Sequence, residues 1–341
     1  MLCVYARSSS LNQYKTCEMR YLFEYVLGNK IPTSKSACLG TMFHKTFEIR
    51  SLAKKASQDG QNKIVDDNFG ELDISQCKDY KYIHDMSFNY YSNIEKHLKF
   101  SQKDYNDVLG WIEFSLEKYP EYDPFNLNIV AAELFFDIEI DKPWAKYQTM
   151  IGGESVSGNL HIKGTMDTVI KHSDSVYEMF DYKTGKYRTD FATGKEKDLT
   201  YLKKDIQLLL YLIALKTLYP SVDFMLSLFY VNKGGIFTVV ADDEMLNNAW
   251  KMLESNYKDI SKNYNPRQLD PKHSDYRCKY LCPFSKPSEE DPSVSICCHA
   301  KSRISKEGFT KFINEKIDVK TIGSYGSGGG RKDVQNESCR K

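Results

Sequence analysis

Residues 164–185 read GTMDTVIKHSDSVYEMFDYKTG, and they predict a β-hairpin that carries reactive side chains. Both halves contain the β-branched and aromatic residues typical of strands, and polar residues 172–175 between them predict a short turn. Side chains alternate between the two faces of a strand, so Asp181 and Lys183 should point the same way. Folding the hairpin places Asp167 within about one residue of the position opposite Asp181.

This predicted group combines two carboxylates and one ammonium. Close carboxylates repel each other unless a cation lies between them, and oxygen ligands suit Mg²⁺ or Mn²⁺. A lysine beside such a metal can orient a water molecule or stabilise developing negative charge. The hairpin therefore indicates phosphodiester hydrolysis. An Asp-x-Lys pattern by itself, however, usually lies on the solvated surface of a protein and has no catalytic role.

Two predicted helices add polar side chains to this picture. The upstream helix places His44 and Glu48 four residues apart and hence on one face, and imidazole is a metal ligand that tolerates Mn²⁺. The downstream helix, residues 205–215, is apolar nearly all round and should be buried. Gln207 and Tyr211 are its polar exceptions and share a face, so we expect each to have a polar partner there.

Together these motifs resemble the RecB-like branch of the PD-(D/E)XK nuclease superfamily, which includes CRISPR-associated and phage exonucleases. The resemblance covers residues 8 to about 300, with the motifs in the family's order. Cys17-Glu18 replaces the family's Cys-Pro. The matching segments are Ser8 to Tyr21, Gly40 to His44, the strand 131–136 with Glu133, Gly164 to Asp167, Asp181 to Gly185, and Gln207 to Tyr211.

The resemblance implies an α/β fold with a PD-(D/E)XK restriction-endonuclease-like core, in which helices flank a central mixed sheet. We expect a single nuclease domain over residues 1–322, with a helical insertion at 59–125 and a cysteine cluster region at 265–300. Residues 8–29 are predicted to form one serine-capped helix. Residues 323–341 are rich in Gly, Ser and charge and predict a disordered tail.

The resemblance also implies a role for each motif residue. One or two Mg²⁺ or Mn²⁺ ions would be held by Asp167, Asp181, His44 and the backbone carbonyl of Tyr182. Lys183 would act on the water or the phosphate, and Gln207 and Tyr211 would orient the lysine and the DNA.

The implied function is a metal-dependent DNA exonuclease that acts on single-stranded ends, with 5′-to-3′ digestion favoured. It would serve DNA recombination, repair or phage DNA processing. The alternative is a DNA-end-binding nuclease subunit of a helicase–nuclease or CRISPR spacer-acquisition complex. The chain has no helicase motifs, so a motor would come from a helicase or recombination partner.

The nine cysteines suggest a metal centre rather than disulfides, because their number is odd and no secretory signal precedes them. Four of them lie between Cys278 and Cys298. Adjacent Cys297 and Cys298 are poorly placed to bind one metal together, so three ligands are left and a distant fourth is needed.

Iron–sulfur members of the RecB-like branch take one cysteine from the N-terminal helix and three from the C-terminal region. The resemblance therefore implies a 4Fe–4S cluster that staples the two regions together. The Cys-x3-Cys spacing here differs from the commoner Cys-x2-Cys, so zinc and thiols without a bound metal stay alternatives. The implied ligands are Cys17, Cys278, Cys282 and Cys297, with Cys298 or His299 as alternatives to Cys297.

The overall charge excludes a protein that coats DNA electrostatically, because 47 basic and 46 acidic residues leave a net charge of +1. A local groove would suffice for a nuclease, and Lys186, Tyr187 and Arg188 after the catalytic strand are the candidate DNA contacts. No apolar stretch is long enough for a bilayer. We therefore expect an intracellular protein of the cytoplasm, or of the host cytoplasm if phage-encoded.

Overall fold

The computed structural model describes residues 1, 3–29, 31–151, 154–185 and 198–316. Within these residues the strands are β1 (Tyr5–Ala6), β2 (Lys63–Asp66), β3 (Gly70–Asp73), β4 (Ile129–Glu139), β5 (Lys146–Ile151), β6 (Glu154–Asn159), β7 (His161–Ser173), β8 (Val176–Lys183), β9 (Asp223–Tyr230) and β10 (Gly235–Val240). The helices are α1 (Ser8–Thr16), α2 (Glu18–Tyr21), α3 (Lys35–Gln58), α4 (Ile74–Cys77), α5 (Tyr80–Ile94), α6 (Gln102–Lys118), α7 (Leu199–Leu202), α8 (Ile206–Leu218), α9 (Asp243–Ser261), α10 (Ile296–Glu307) and α11 (Phe309–Lys316). Leu22–Val26 and Arg277–Leu281 are π-helical turns, and short 3-10 turns lie at Lys96–Leu98, Pro120–Tyr122, Pro124–Asn126, Pro143–Ala145 and Pro283–Ser285.

The described residues form two compact units, and each is assembled from separate parts of the chain. We call residues 33–136 and 165–246 the site unit, because they contain the hairpin motifs. We call residues 1–32, 137–164 and 247–316 the cysteine unit.

The main sheet is mixed, as predicted. In the site unit, β7 and β8 are antiparallel, β8 and β9 are parallel, and β9 and β10 are antiparallel. The β4 strand also pairs with β7. In the cysteine unit, β1 runs parallel to the first residues of β7. The β8 and β9 strands are buried along most of their length, which suits strands covered on both faces.

The helices α3 and α8 pack beside this sheet in the site unit. Met42, Phe43 and Phe47 of α3 share a buried core with Tyr182 of β8 and Phe229 of β9. The α8 helix is apolar nearly all round, and its residues 208–215 are all buried. The predicted α/β class, with helices flanking a central mixed sheet, is therefore confirmed.

The insertion between α3 and β4 is mainly helical, but it differs from the prediction in one respect. It begins with the antiparallel hairpin of β2 and β3, which the helical interpretation of residues 59–125 did not include. Each of these strands is only four residues long, which leaves little alternating pattern to detect. An ion pair of 2.6 Å between buried Arg50 and partly exposed Asp123 joins the end of the insertion to α3.

The N-terminal segment also differs from the prediction of one helix over residues 8–29. It is split into α1, α2 and a π-helical turn, because Cys17 adopts an extended conformation with φ −157° and ψ 108°. The N-cap is Arg7 rather than a serine, and Ser10 bonds back to the Arg7 backbone. The break lies at the cysteine that the sequence proposes as a metal ligand.

None of the described helices is both long enough and apolar enough to cross a lipid bilayer. The predicted tail, residues 323–341, lies outside the described residues.

Candidate active site and cysteine pocket

The two aspartates lie side by side in the hairpin, Asp167 midway along β7 and Asp181 near the end of β8. Thr168 pairs with Phe180, so the next residues along the hairpin are Asp167 and Asp181, as the register predicted. Asp167 Oδ2 accepts a hydrogen bond of 2.7 Å from the backbone N–H of Tyr182. Asp181 is only 3% exposed, so its charge needs nearby compensation.

That compensation comes from Lys183 and Gln207. The Lys183 ammonium contacts Asp181 Oδ2 and donates a 2.7 Å hydrogen bond to Gln207 Oε1. The amide of Gln207 then donates to Asp181 Oδ1 at 2.6 Å. One glutamine thus bridges the acid and the lysine.

Tyr211 anchors this bridge to the backbone. Gln207 Nε2 lies 2.7 Å from the Tyr211 hydroxyl, and that hydroxyl donates a 2.6 Å hydrogen bond to the carbonyl of Thr165. The Thr165 carbonyl lies on β7, two residues before Asp167. The α8 helix therefore fixes both the side chains of β8 and the backbone of β7.

His44 approaches the aspartates from α3. Its Nδ1 lies 3.2 Å from Asp167 Oδ2. Neighbouring Phe43 stacks on Phe47 and meets the Tyr182 ring edge-on, which holds this part of α3 against β8. Gly40 permits the close approach, because a Cβ there would lie 3.1 Å from Thr184 Oγ1.

Glu133 adds a further acid from β4, at the position where the sequence placed a strand before the Asp167 motif. It adopts φ 48°, an unusual conformation for a non-glycine residue and one that interrupts a regular strand. Burial raises the pKa of Glu133 to about 8, and the charges of Glu48 and Asp167 add to that increase.

In this group, burial and the neighbouring charges have opposing effects on the pKa of each side chain. Burial lowers the pKa of His44. The charge and hydrogen bond of Asp167, together with the charges of Asp181 and Glu133, outweigh burial and raise that pKa to about 9. Burial raises the pKa of Asp167, yet the charge of His44 and their hydrogen bond bring it below its ordinary value. Burial raises the pKa of Asp181, with Lys183 opposing the increase and Asp167 adding to it.

The donor chemistry fits a hard divalent cation, although the side-chain spacing is not that of a formed metal site. Among the described residues, no group of three or more His, Cys, Asp and Glu side chains is arranged to hold a metal ion. However, Asp181 Oδ2 is buried, and its polar contact among the described residues is with the Lys183 ammonium. Protonated His44 and Lys183 supply the positive charge that a cation between the acids would otherwise provide.

The structure brings together the side chains of most residues that the sequence assigned to the site. These are His44, Asp167, Asp181, Lys183, Gln207 and Tyr211. The Tyr182 side chain is 3% exposed and belongs to the core, so only its backbone could serve the site. Lys186, Tyr187 and Arg188 lie outside the described residues. The carbonyl of Thr165 was not predicted, because backbone acceptors carry no signal in sequence.

A second group lies in the cysteine unit, where four thiols line one pocket. The pocket wall includes Cys17, Cys278, Cys282 and Cys297, which are three cysteines from the C-terminal region and one from residue 17. Burial raises the pKa of the Cys278 thiol, and the neighbouring charges of Cys17 and Cys282 add to the increase. Four thiols are the donor type that a soft metal or an iron–sulfur cluster requires, although their spacing is not that of a formed metal site.

The pocket also distinguishes between the adjacent cysteines. Cys297 is 7% exposed and lines the pocket. The Cys298 sulfur instead lies 3.6 Å from the Pro271 carbonyl and 3.6 Å from His273 Nε2. The geometry therefore favours Cys297 over Cys298 as the candidate metal ligand of this pair. The other alternative ligand, His299, has its Nδ1 3.0 Å from the Ser288 hydroxyl.

Comparison with known protein families gives a match over most of the chain. The profile of the PD-(D/E)XK nuclease superfamily matches residues 8–286. No curated protein matches the chain.

Two solved structures resemble this chain distantly. One is described as "Putative exonuclease" from Eubacterium rectale, with a TM-score of 0.43 and 14% identity, over 84% of this chain and 91% of that chain. Another is SSO0001, with a TM-score of 0.25 and 12% identity, over 73% of this chain and 95% of that chain. Similarity at this level does not transfer a function.

Proposed function

Because this chain belongs to the PD-(D/E)XK nuclease superfamily, we propose that it is a divalent-metal-dependent deoxyribonuclease. The observation that carries the proposal is the convergence of Asp167, in the middle of β7, with Asp181 and Lys183, near the end of β8. These are the acids and the lysine of the superfamily motif, and all three are present.

In the proposed site, Asp167 and Asp181 hold the cation, with His44 and the Tyr182 carbonyl as further donors. The cation would supply positive charge to the scissile phosphate and acidify a water molecule. His44 must lose the proton that it shares with Asp167 before its Nδ1 can bind a metal.

Lys183 is the proposed electrostatic catalyst. Its ammonium would stabilise the negative charge that develops on the phosphate, or orient the attacking water. Gln207 holds the ammonium in place through a 2.7 Å hydrogen bond and holds Asp181 through a 2.6 Å hydrogen bond. Preorganised side chains of this kind do not have to rearrange during the reaction.

For the substrate, we propose single-stranded DNA ends digested from 5′ to 3′, in recombination, repair or phage DNA processing. This part rests on the resemblance to RecB-like exonucleases. The alternative is a subunit that binds DNA ends beside a helicase or in a spacer-acquisition complex. Both depend on DNA, but only the first requires cleavage by the isolated protein.

The test is digestion of oligonucleotides labelled at the 5′ or the 3′ end, with Mg²⁺, with Mn²⁺ and with a chelator. The wild-type protein should release nucleotides from the 5′ end only when a divalent metal is present. Lys183→Ala should lower the rate about 100- to 1,000-fold, because one preorganised electrostatic stabiliser is lost. Lys63→Ala removes an exposed lysine paired with Glu71 on the insertion hairpin and should leave the rate unchanged.

Equal rates for Lys183→Ala and the wild type would contradict the nuclease proposal. Tight binding of DNA ends without cleavage, in either metal, would instead support the end-binding subunit.

We also propose that the cysteine pocket holds a 4Fe–4S cluster through Cys17, Cys278, Cys282 and Cys297. The support is that these four thiols line one pocket although residue 17 is far from the others in sequence. A cluster would make the purified protein brown, with about four irons and four labile sulfides per chain. A colourless protein containing one zinc would favour the zinc alternative.

A further inference from the structure

Gln268 is a polar side chain at the cysteine pocket that the sequence motifs did not indicate. It lines the pocket together with the four thiols. Its amide Nε2 lies 3.1 Å from the sulfur of Cys297 and 3.4 Å from the sulfur of Cys298. The amide therefore donates toward both members of the adjacent pair, with the shorter contact to the cysteine that faces the pocket.

Hydrogen bonds of Ser295 hold the start of α10, the helix that carries Cys297. Ser295 caps the helix by accepting a hydrogen bond from the backbone N–H of Cys298 at 3.1 Å. His273 Nε2 lies 2.8 Å from the Ser295 hydroxyl, and His273 also lines the pocket. The first turn of the helix that carries Cys297 is therefore held by His273, which lies in the same loop as Gln268.

Such a contact has a definite electrostatic consequence for a metal-bound thiolate. A metal centre becomes more negative when it is reduced, so a donor aimed at a ligand sulfur stabilises the reduced form more than the oxidised form. Hydrogen bonds to the sulfurs are among the main determinants of the reduction potential of iron–sulfur clusters. A glutamine amide can act in this way because it donates while carrying no charge of its own.

We infer that Gln268 is a positioning residue for the metal centre, whose amide donates to the Cys297 thiolate and raises the reduction potential of the centre. The inference rests on the proposed cluster, but it assigns Gln268 a role that neither the motifs nor the superfamily match contains. It also explains why Cys297 is the ligand and Cys298 is not. Only Cys297 has both the pocket and the shorter amide contact.

The experiment measures the midpoint potential of the full-length protein by redox titration, followed by visible absorbance and electron paramagnetic resonance. Gln268→Met keeps the size of the side chain but removes the donor. We expect this variant to keep its iron and show a more negative midpoint potential. Gln148→Met, on β5 of the same unit and away from the pocket, should show the wild-type potential.

Two results would overturn the inference. One is an unchanged midpoint potential in Gln268→Met with full iron content. The other is wild-type protein without iron, which would remove the cluster as well and leave the nuclease proposal to its own cleavage test.

Two further measurements cover the case in which Gln268→Met does not fold. Cys298→Ser should retain wild-type iron content, whereas Cys297→Ser should lose iron, and the reverse order would overturn the assignment. In addition, the iron–sulfur stretching bands of the wild-type protein should shift in D₂O, because an exchangeable N–H points at a ligand sulfur. Bands that do not move would contradict the inference.

Discussion

At the scale of single residues, the neutral side chain of Gln207 connects the charged groups of the candidate active site. Gln207 contacts the Lys183 ammonium, the Asp181 carboxylate and the Tyr211 hydroxyl. An amide offers both a donor and an acceptor, so it can satisfy an anion and a cation at the same time. A carboxylate at this position could not donate a hydrogen bond to Asp181, and an aliphatic side chain could hydrogen-bond to neither charged group.

Gln207→Leu should therefore lower the rate of DNA cleavage about 10- to 100-fold, because hydrogen bonds to charged groups contribute about 1.5–3 kcal/mol. Tyr211→Phe should lower it less, about 2- to 10-fold, because it removes a neutral hydrogen bond to Thr165. Initial rates on labelled oligonucleotides measure both effects. Gln102→Leu, an exposed substitution on α6, serves as the control. The opposite order of effects would contradict this account of the network.

The sequence predicted that these side chains would lie close together, because each belongs to a regular element with a fixed period. Alternation along β8 places Asp181 beside Lys183, and helical spacing places Gln207 beside Tyr211. It could not predict Gln268, which lies in a loop between α9 and a π-helical turn. No periodicity relates a loop residue to a sulfur that lies 29 positions further along the chain.

At the scale of elements, the turn between β9 and β10 shows a steric requirement for glycine. Gly235 adopts φ 74°, and a Cβ there would lie 2.3 Å from the Tyr119 hydroxyl. The chain therefore needs glycine for its backbone conformation and for its close packing against the insertion.

Gly235→Ala should destabilise the protein by about 1–2 kcal/mol from the left-handed backbone. Overpacking against Tyr119 should add about 1–3 kcal/mol. Gly60→Ala is the matched control, because Gly60 has φ 76° but no atom within 4 Å of its Cβ position. Urea denaturation should show the larger loss at Gly235, and Tyr119→Phe should recover part of it in the double variant. Equal losses at the two glycines would contradict the packing argument.

The helical insertion contains a buried histidine that should make stability depend on pH. His84 on α5 is fully buried, with Nε2 3.2 Å from the Tyr105 carbonyl and Nδ1 without a hydrogen-bond partner. Burial lowers the pKa of His84 below its ordinary value of 6.5. Below that value the unfolded chain binds a proton that the folded chain does not, so the free energy of unfolding should fall as the pH falls through about 6.5.

His84→Gln keeps an N–H for the Tyr105 carbonyl but cannot titrate. We expect its free energy of unfolding to change less between pH 7 and pH 5 than that of the wild type. Urea denaturation at both pH values measures the difference, and equal m values would show that the native state is intact. The same pH dependence in both proteins would contradict the role of His84.

Sequence reasoning was weakest where elements are short or interrupted. The break at Cys17 was missed because residues on both sides have helical spacing, and the extended conformation of one residue leaves no periodic trace. The β2–β3 hairpin was missed because it is brief and lies among helices. The long strands β7 and β8 and the apolar helix α8 were predicted with nearly their observed bounds.

At the scale of the whole molecule, segments that are far apart along the chain are grouped into the same compact unit. The cysteine unit is built from three separate stretches of the chain, and its pocket joins Cys17 to residues 268–297. Contacts so distant in sequence are costly in chain entropy, and a bound metal can contribute the free energy to maintain them. The site unit, in contrast, contains its own buried core and all six side chains of the candidate active site, which are His44, Asp167, Asp181, Lys183, Gln207 and Tyr211.

Loss of the proposed cluster should therefore loosen the cysteine unit selectively. In Cys297→Ser, we expect faster amide hydrogen exchange in α1, α2 and α10, because free energy from metal binding no longer stabilises these segments. Exchange in α8, which is buried in the site unit, should stay at the wild-type rate. Mass spectrometry of exchanged peptides measures both regions, with Cys298→Ser as the matched control. Unchanged exchange in α1 and α10 would mean that no metal stabilises this unit, and faster exchange throughout would mean that its loss unfolds the whole chain.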